Sequence, residues 1–178
     1  MARNDQYCLH CNGYIADSEG KVEWLDSVPV PEDEDFGFSD FMSNIDAVVM
    51  GRVTFETLIG FGVGWHYGVP GIILSSTMTS APAEFAEYVT FASGTPQEIV
   101  DLAKGKGHSN LYIDGGDTVQ RFLREDLIDE LIITEIPVLL GDGMRLFGEL
   151  DRRLDFDLAG TEVLADQIVK THYCRKHQ

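Results

Sequence analysis

The chain has 178 residues, of which 44% are hydrophobic and 24% charged, a composition ordinary for one globular domain large enough to bury a core without staples. Lys and Arg number 13 against 30 Asp and Glu, a net charge of −17, which excludes nucleic-acid binding through a general phosphate field and disfavours anionic membrane surfaces. An anionic ligand would have to be held locally, by placed arginines, backbone N–H groups and helix N-termini.

The three cysteines, Cys8, Cys11 and Cys174, are too few and too odd a number for a disulfide framework and suit a reducing compartment. The first residues lack the apolar core of a secretion signal, and no apolar run approaches the roughly 18 residues of a membrane span. A cytoplasmic protein with no membrane and no nucleic-acid partner is expected.

In chain order, Tyr7 to Ala16 reads as a first strand interrupted at Asn12-Gly13. Pro29 to Asp35 is an acidic loop whose prolines hold off helix until Phe36. Phe36, Phe38, Phe41, Met42 and Ile45 then recur at helical spacing. Ala47 to Met50 is a short buried strand ended by Gly51, and Thr54 to Ile59 starts a helix. Gly60 to Gly71 holds five glycines and one proline in twelve positions and reads as a loop. Ile72 to Leu74 is a buried strand closed by Ser75-Ser76-Thr77, and Tyr88 to Phe91 is another short strand. Thr95 as cap, Pro96 at the first position and Glu98 three after the cap open a helix that ends near Lys104-Gly105. Leu111 to Ile113 is a buried strand, Thr118 to Arg124 a helix, and Asp129 to Val138 a long strand. Phe156 to Val163 and Gln167 to Cys174 pair as an antiparallel hairpin through Leu164-Ala165-Asp166. Buried strands separated by helices specify a mostly parallel α/β sheet, and the closing run of strands gives it an antiparallel edge.

In such a sheet, ligands sit where strands end and helices begin, and three junctions have that character. At Gly51-Arg52-Val53-Thr54, glycine permits close approach to the backbone and arginine can grip a phosphate. Leu74-Ser75-Ser76 puts two hydroxyls at a strand end, suited to a turn, a cap or a phosphate. Asp114-Gly115-Gly116-Asp117-Thr118-Val119 joins a strand, two glycines and a helix start, the elements of an anion site; its glycine spacing is not that of the usual dinucleotide fingerprint.

The segments DAVVMGRVTFETL, GIILSSTM and LYIDGGDTVQRFL, in this order, resemble the dihydrofolate reductase fold. LIDELIITEIPVLLGDGMRLFG resembles the reductase domain of riboflavin biosynthesis and its stand-alone bacterial relatives, as does Asn12-Gly13-Tyr14-Ile15-Ala16. The resemblance covers nearly the whole chain as a single domain. It implies a three-layer αβα fold, an NADPH cofactor, a small heterocyclic substrate of the pterin or riboflavin-precursor kind, and a homodimer. Gly51, Arg52 and Thr54 would line the cofactor, with Arg52 near the adenosine 2′-phosphate. Leu74, Ser75 and Ser76 would hold the adenosine end, and Gly115, Gly116, Asp117, Thr118 and Val119 would wrap the pyrophosphate. Ile15 and Ala16 would lie against the nicotinamide, while Asn12, Trp24 and Leu140 would stand near the substrate. No deaminase signature occurs, so the two-domain deaminase–reductase is excluded.

The chain departs from the pattern in three places. Asp117 stands where the family has a small residue, so its carboxylate either caps the following helix or repels the pyrophosphate. Asn12 replaces an aspartate and cannot ionise. Asp35 falls in register with the buried carboxylate of dihydrofolate reductases, but Phe38 and Ser39 replace the aromatic pattern around it. A buried carboxyl there would protonate a C=N bond as hydride arrives; the other reading is a solvated loop charge. Trp65-His66-Tyr67 would either cover a flat ring or pack down its loop. Cys8, His10, Cys11, His172, Cys174 and His177 fit no standard zinc spacing, so no metal is expected. Two readings remain: a reductase, or a non-catalytic homodimeric nucleotide- or pterin-binding protein that kept the fold.

Overall fold

Apolar runs as short as Ala47–Met50 and Ile72–Leu74, without polar alternation, need cover on both faces. The computed structural model provides it. Residues 3–10, 13–29 and 35–176 are described, the first segment through its backbone alone. The elements are β1 (Arg3–His10), β2 (Tyr14–Ala16), a 3-10 turn (Glu23–Ser27), α1 (Phe38–Met42), β3 (Ala47–Gly51), α2 (Arg52–Phe61), β4 (Gly71–Leu74), β5 (Val89–Ala92), α3 (Pro96–Gly105), β6 (Asn110–Asp114), α4 (Gly116–Arg124), β7 (Glu130–Glu135), β8 (Met144–Arg145), β9 (Phe156–Leu164) and β10 (Ile168–Arg175).

Eight strands form one sheet in the order β5-β4-β3-β6-β1-β7-β10-β9. The first six run parallel, and β10 pairs antiparallel with both β7 and β9. The two faces read out residue by residue. Ala47 and Val49, Ile72 and Leu74, and Leu111 and Ile113 pack with Ile99, Val100 and Ala103 of α3 and Val119, Phe122 and Leu123 of α4. Val48, Met50, Ile73 and Tyr112 point the other way, onto Phe55 and Leu58 of α2 and the aromatic residues of α1. The result is a three-layer, dihydrofolate-reductase-like arrangement with an antiparallel edge hairpin.

Several boundaries differ from the sequence expectation for local reasons. The first strand is split: Gly13 takes a φ of 87°, and β2 leaves the main sheet to pair with β8. The long strand expected to Val138 ends at Glu135, two residues before Pro137, which has no N–H for a ladder. The hairpin turns where expected, with Ala165 and Asp166 both at positive φ. The capping box at Thr95 and Glu98 is present as read.

The topology also fixes where a ligand can enter. From β3 the chain crosses through α2 to β4 on one flank; from β6 it crosses through α4 to β7 on the other flank. β3 and β6 are neighbours, with Met50 opposite Asp114, and their helices lie on opposite faces. Oppositely directed crossovers leave a crevice at the carboxyl ends of that strand pair.

Candidate functional site

The crevice is floored by two helix starts of unusual composition. α2 begins after Gly51 and α4 after Gly115, and neither has a side-chain cap. In α3, by contrast, Thr95 and Glu98 satisfy the first amides. The first N–H groups of α2 and α4 are thus left to another acceptor, and an anion is the species that helix N-termini favour.

The two turns are interlocked. A Cβ on Gly51 would lie 3.2 Å from the Thr118 hydroxyl, and a Cβ on Gly115 would collide with the Thr54 hydroxyl. Each helix start therefore sets a threonine over the other's glycine. Gly115 also has a φ of 87°, a region that favours glycine. Gly116 packs beneath β2: a Cβ there would stand 2.6 Å from Ile15 Cδ1. Ala16 is buried, and a Cβ on Gly143 would collide with its carbonyl. Gly51, Thr54, Gly115, Gly116, Thr118 and Ile15 are thus gathered around one crevice.

Other expected residues are placed less simply. Arg52 opens α2 and its guanidinium bonds Glu56, one turn on, at 2.6 Å. Ser75 Oγ accepts from the amides of Thr77 and Met78, at 3.2 and 2.7 Å, so it builds a turn at the end of β4; Ser76 is exposed. Leu74 and Val119 are buried in the core, and the Val119 amide is taken by the Gly115 carbonyl. These two anchor their junctions from below. Asp117 does not cap: Gly115 holds that position, and the Asp117 side chain is exposed in the first turn of α4. Asn12 lies outside the described residues, as do the side chains of Cys8 and His10, and Cys11 and His177 altogether.

Asp35 is not the buried acid that the register implied. It is exposed, and its carboxylate accepts the Gly37 and Ser39 amides at 2.8 and 3.0 Å. Hydrogen bonds from the Ser39 side chain and from these amides hold it below the usual carboxylate range. It is ionised at neutral pH and organises the entry to α1. The acidic loop reading is the one its geometry bears out.

The carboxyl with the opposite character is Asp114, which was not among the expected catalytic groups. It ends β6 immediately before Gly115. Burial pushes its pKa up, opposed in part by hydrogen bonds from Tyr67, the Gly115 amide and Tyr112 and by the nearby His66. The Tyr67 hydroxyl donates to Asp114 Oδ2 at 3.2 Å, and burial raises the pKa of that phenol too. Phe38, Phe41, Tyr67 and Tyr112 form an edge-to-face wall around this pair. The Trp65-His66-Tyr67 segment divides its labour. Trp65 packs the loop down, donating to the Val69 carbonyl at 2.7 Å, while Tyr67 reaches Asp114 with His66 stacked on its ring. The signal available in sequence was a carboxylate directly before two glycines at a strand end.

Trp24 and Leu140 come together in a smaller cluster with Val28, Ile136 and Phe36. Among the described residues, the buried Trp24 indole N–H has no hydrogen-bond partner, and neither has the buried Thr134 hydroxyl. Thr134 stands opposite Lys170, whose ammonium bonds the Phe36 carbonyl at 3.0 Å. Trp24 packs beside Phe36 itself. Buried polar groups left unpaired cost about 1–3 kcal/mol each and are candidates for ligand contact.

Sheet order, crevice and paired helix starts define a dihydrofolate-reductase-like α/β protein with a reductase-type fold. Residues 69–170 match the model of the RibD C-terminal domain, and the chain belongs to that family. It is 36% identical over 166 residues to the uncharacterized protein YwjB of Bacillus subtilis (strain 168), covering 92% of each chain. Its fold is similar to that of a provisionally assigned riboflavin biosynthesis protein from Shewanella sp. PV-4, at TM-score 0.94 and 44% identity, covering 99% and 100% of the two chains. A dihydrofolate reductase from Enterococcus faecalis, complexed with NADP(H), shares the fold at TM-score 0.66 and 21% identity, with 98% and 97% covered.

Proposed function

We propose that the protein is an NADPH-dependent reductase acting on a small heterocycle of the riboflavin-precursor or pterin kind. The observation that carries this reading is the pair of interlocked, glycine-capped helix starts at the β3–β6 crevice. Their free amides fit a pyrophosphate, and the dihydrofolate reductase with this fold holds NADP(H). The amides of Gly116, Asp117 and Thr118 and the start of α2 would bind the phosphates. Arg52 and Ser76 stand at strand ends suited to a further phosphate, which favours NADPH over NADH because each such contact is charge-assisted. When bound, the nicotinamide supplies a hydride for a C=N or C=O group.

This chain's own residues contribute orientation and a proton. Asp114 is the acid the geometry favours: half-buried, raised in pKa and bonded to Tyr67. A carboxyl so placed holds a proton at higher pH than a solvated one and can release it to a reacting nitrogen. The aromatic wall of Phe38, Tyr67 and Tyr112 keeps water from the carboxyl. Trp24 Nε1 and Thr134 Oγ1 would bond polar edges of the ring. A homodimer is part of this proposal; the hollow beside Phe147, Phe156 and Tyr173, with exposed Leu158 and Val163 nearby, offers the apolar surface a second copy would cover.

The test is the loss of NADPH absorbance with a panel of acceptors: 5-amino-6-(5-phosphoribosylamino)uracil, dihydrofolate and simple pterins. Turnover of one of them, lost by about 100-fold or more in Asp114→Asn, supports the reading. Asp117 favours a second one, since its exposed carboxylate lies in the turn a pyrophosphate would occupy. NADPH binding without turnover of any acceptor would mark a non-catalytic binding protein.

A further inference from the structure

The clusters of ligating side chains outside the crevice include one with no part in the reductase reading. Glu130 opens β7, and Cys174 stands opposite it on β10, with His172 two residues earlier on the same side of that strand. This is the amino end of β7, whereas Asp114 lies at the carboxyl end of β6. Glu130 Oε2 lies 2.7 Å from His172 Nε2, and Cys174 Sγ lies 3.9 Å from the same nitrogen. The three ligand atoms all lie within 4.8 Å of one another.

We propose that Glu130, His172 and Cys174 form a binding site for one divalent cation of the zinc class. The convergence on a single imidazole nitrogen is what distinguishes a metal site from a nucleophile relay. In a relay the two ring nitrogens face different partners; here carboxylate and thiol both meet Nε2. A tetrahedral zinc, with bonds of about 2.0–2.1 Å to nitrogen and oxygen and about 2.3 Å to sulfur, needs donor separations of about 3.3 to 3.6 Å. The present values of 2.7 and 3.9 Å bracket that range, so seating an ion requires only side-chain adjustment. Carboxylate, imidazole and thiolate together are a borderline-soft donor set, suited to zinc rather than to calcium or magnesium. His172 and Glu130 are 36% and 15% exposed in their side chains, which leaves an entry path and a fourth position for water. Asp157, opposite Cys174 on β9, is held by Lys176 at 2.6 Å and is not counted among the ligands. On binding, the thiol proton passes to solvent, and the imidazole proton must reside on Nδ1 so that Nε2 can coordinate. The bound ion would tie the antiparallel edge to the parallel sheet.

The experiment is a cobalt(II) titration of the metal-free, full-length protein, followed by the thiolate-to-cobalt charge-transfer band. A saturable band at one equivalent, displaced by zinc(II), is expected. It should disappear in Cys174→Ser and weaken at least tenfold in His172→Gln, yet persist in the Cys8→Ser/Cys11→Ser double variant. Saturating zinc should raise the melting temperature of the wild type, by roughly 5–10 °C at about 100 times Kd, and leave Cys174→Ser unmoved. If Cys174→Ser does not fold, His172→Gln carries the same readout. No saturable band, a band that survives loss of Cys174, or one lost with Cys8 and Cys11 overturns the proposal.

Discussion

Two carboxylates, Asp35 and Asp114, show how environment, not residue type, sets the protonation of a side chain. Asp35 is exposed and bonded by amides, so it stays ionised; burial of the Asp114 carboxyl holds its proton more tightly, opposed only in part by the hydrogen bond from Tyr67. A raised folded-state pKa means that stability is complete below the unfolded value of 3.8 and is lost as pH rises through the folded value. Asp114→Asn should therefore melt a few degrees above the wild type at pH 7–8, with the gain vanishing below pH 3.8. Melting curves across that pH range check the sign, and the same variant should lose turnover. Gly115 sets the other limit. Gly115→Ala should cost about 1–3 kcal/mol, because a non-glycine residue at a φ of 87° is strained and its Cβ collides with Thr54. Chemical denaturation measures that loss, and NADPH binding should fall with it.

At the scale of elements, the contrast among helix starts separates structure from function. α3 carries its own cap, so Thr95→Ala should cost about 1 kcal/mol of stability and leave nucleotide binding untouched. α2 and α4 carry none, so changes there should act on binding. The Arg52–Glu56 pair is exposed on both sides and of the kind worth about 0–1 kcal/mol. Freeing the guanidinium with Glu56→Gln should tighten NADPH binding a few-fold by calorimetry. Removing the Asp117 carboxylate with Asp117→Asn should tighten it as well. The capping box of α3, the buried strands and the closing hairpin were legible in sequence because each is a local signal with a fixed spacing. The split between β1 and β2 was not, since pairing of β2 with β8, some 130 residues on, decides it. Sequence alone leaves the role of Asp117 open between cap and repulsion for a related reason: the backbone puts the cap at Gly115, two residues earlier.

At the scale of the molecule, the order of strands positions the chemistry. The reversal at β3 and β6 could be inferred only in outline from alternating strands and helices, but it is what brings Gly51 and Gly115 side by side. The family likeness gave the crevice and its glycines. It put Asp35 in register with a buried carboxylate, and the structure leaves Asp35 exposed, because gap-free counting cannot register how an acidic loop folds; the contact of Asp114 with Tyr67, forty-seven positions away, is equally invisible to local counting. The exposed apolar hollow near Phe147 and Phe156 belongs to this scale too. Sedimentation should return twice the chain mass, and Leu158→Glu should shift it toward the monomer if that edge is the contact.

The most direct test of the account is the affinity of the purified protein for NADPH set against NADH, in wild type and in Arg52→Ala. Saturable NADPH binding is expected, with at least tenfold weaker binding of NADH and a difference that collapses in Arg52→Ala. Absence of binding by either nucleotide would contradict it, since the uncapped starts of α2 and α4 would then have no pyrophosphate to hold.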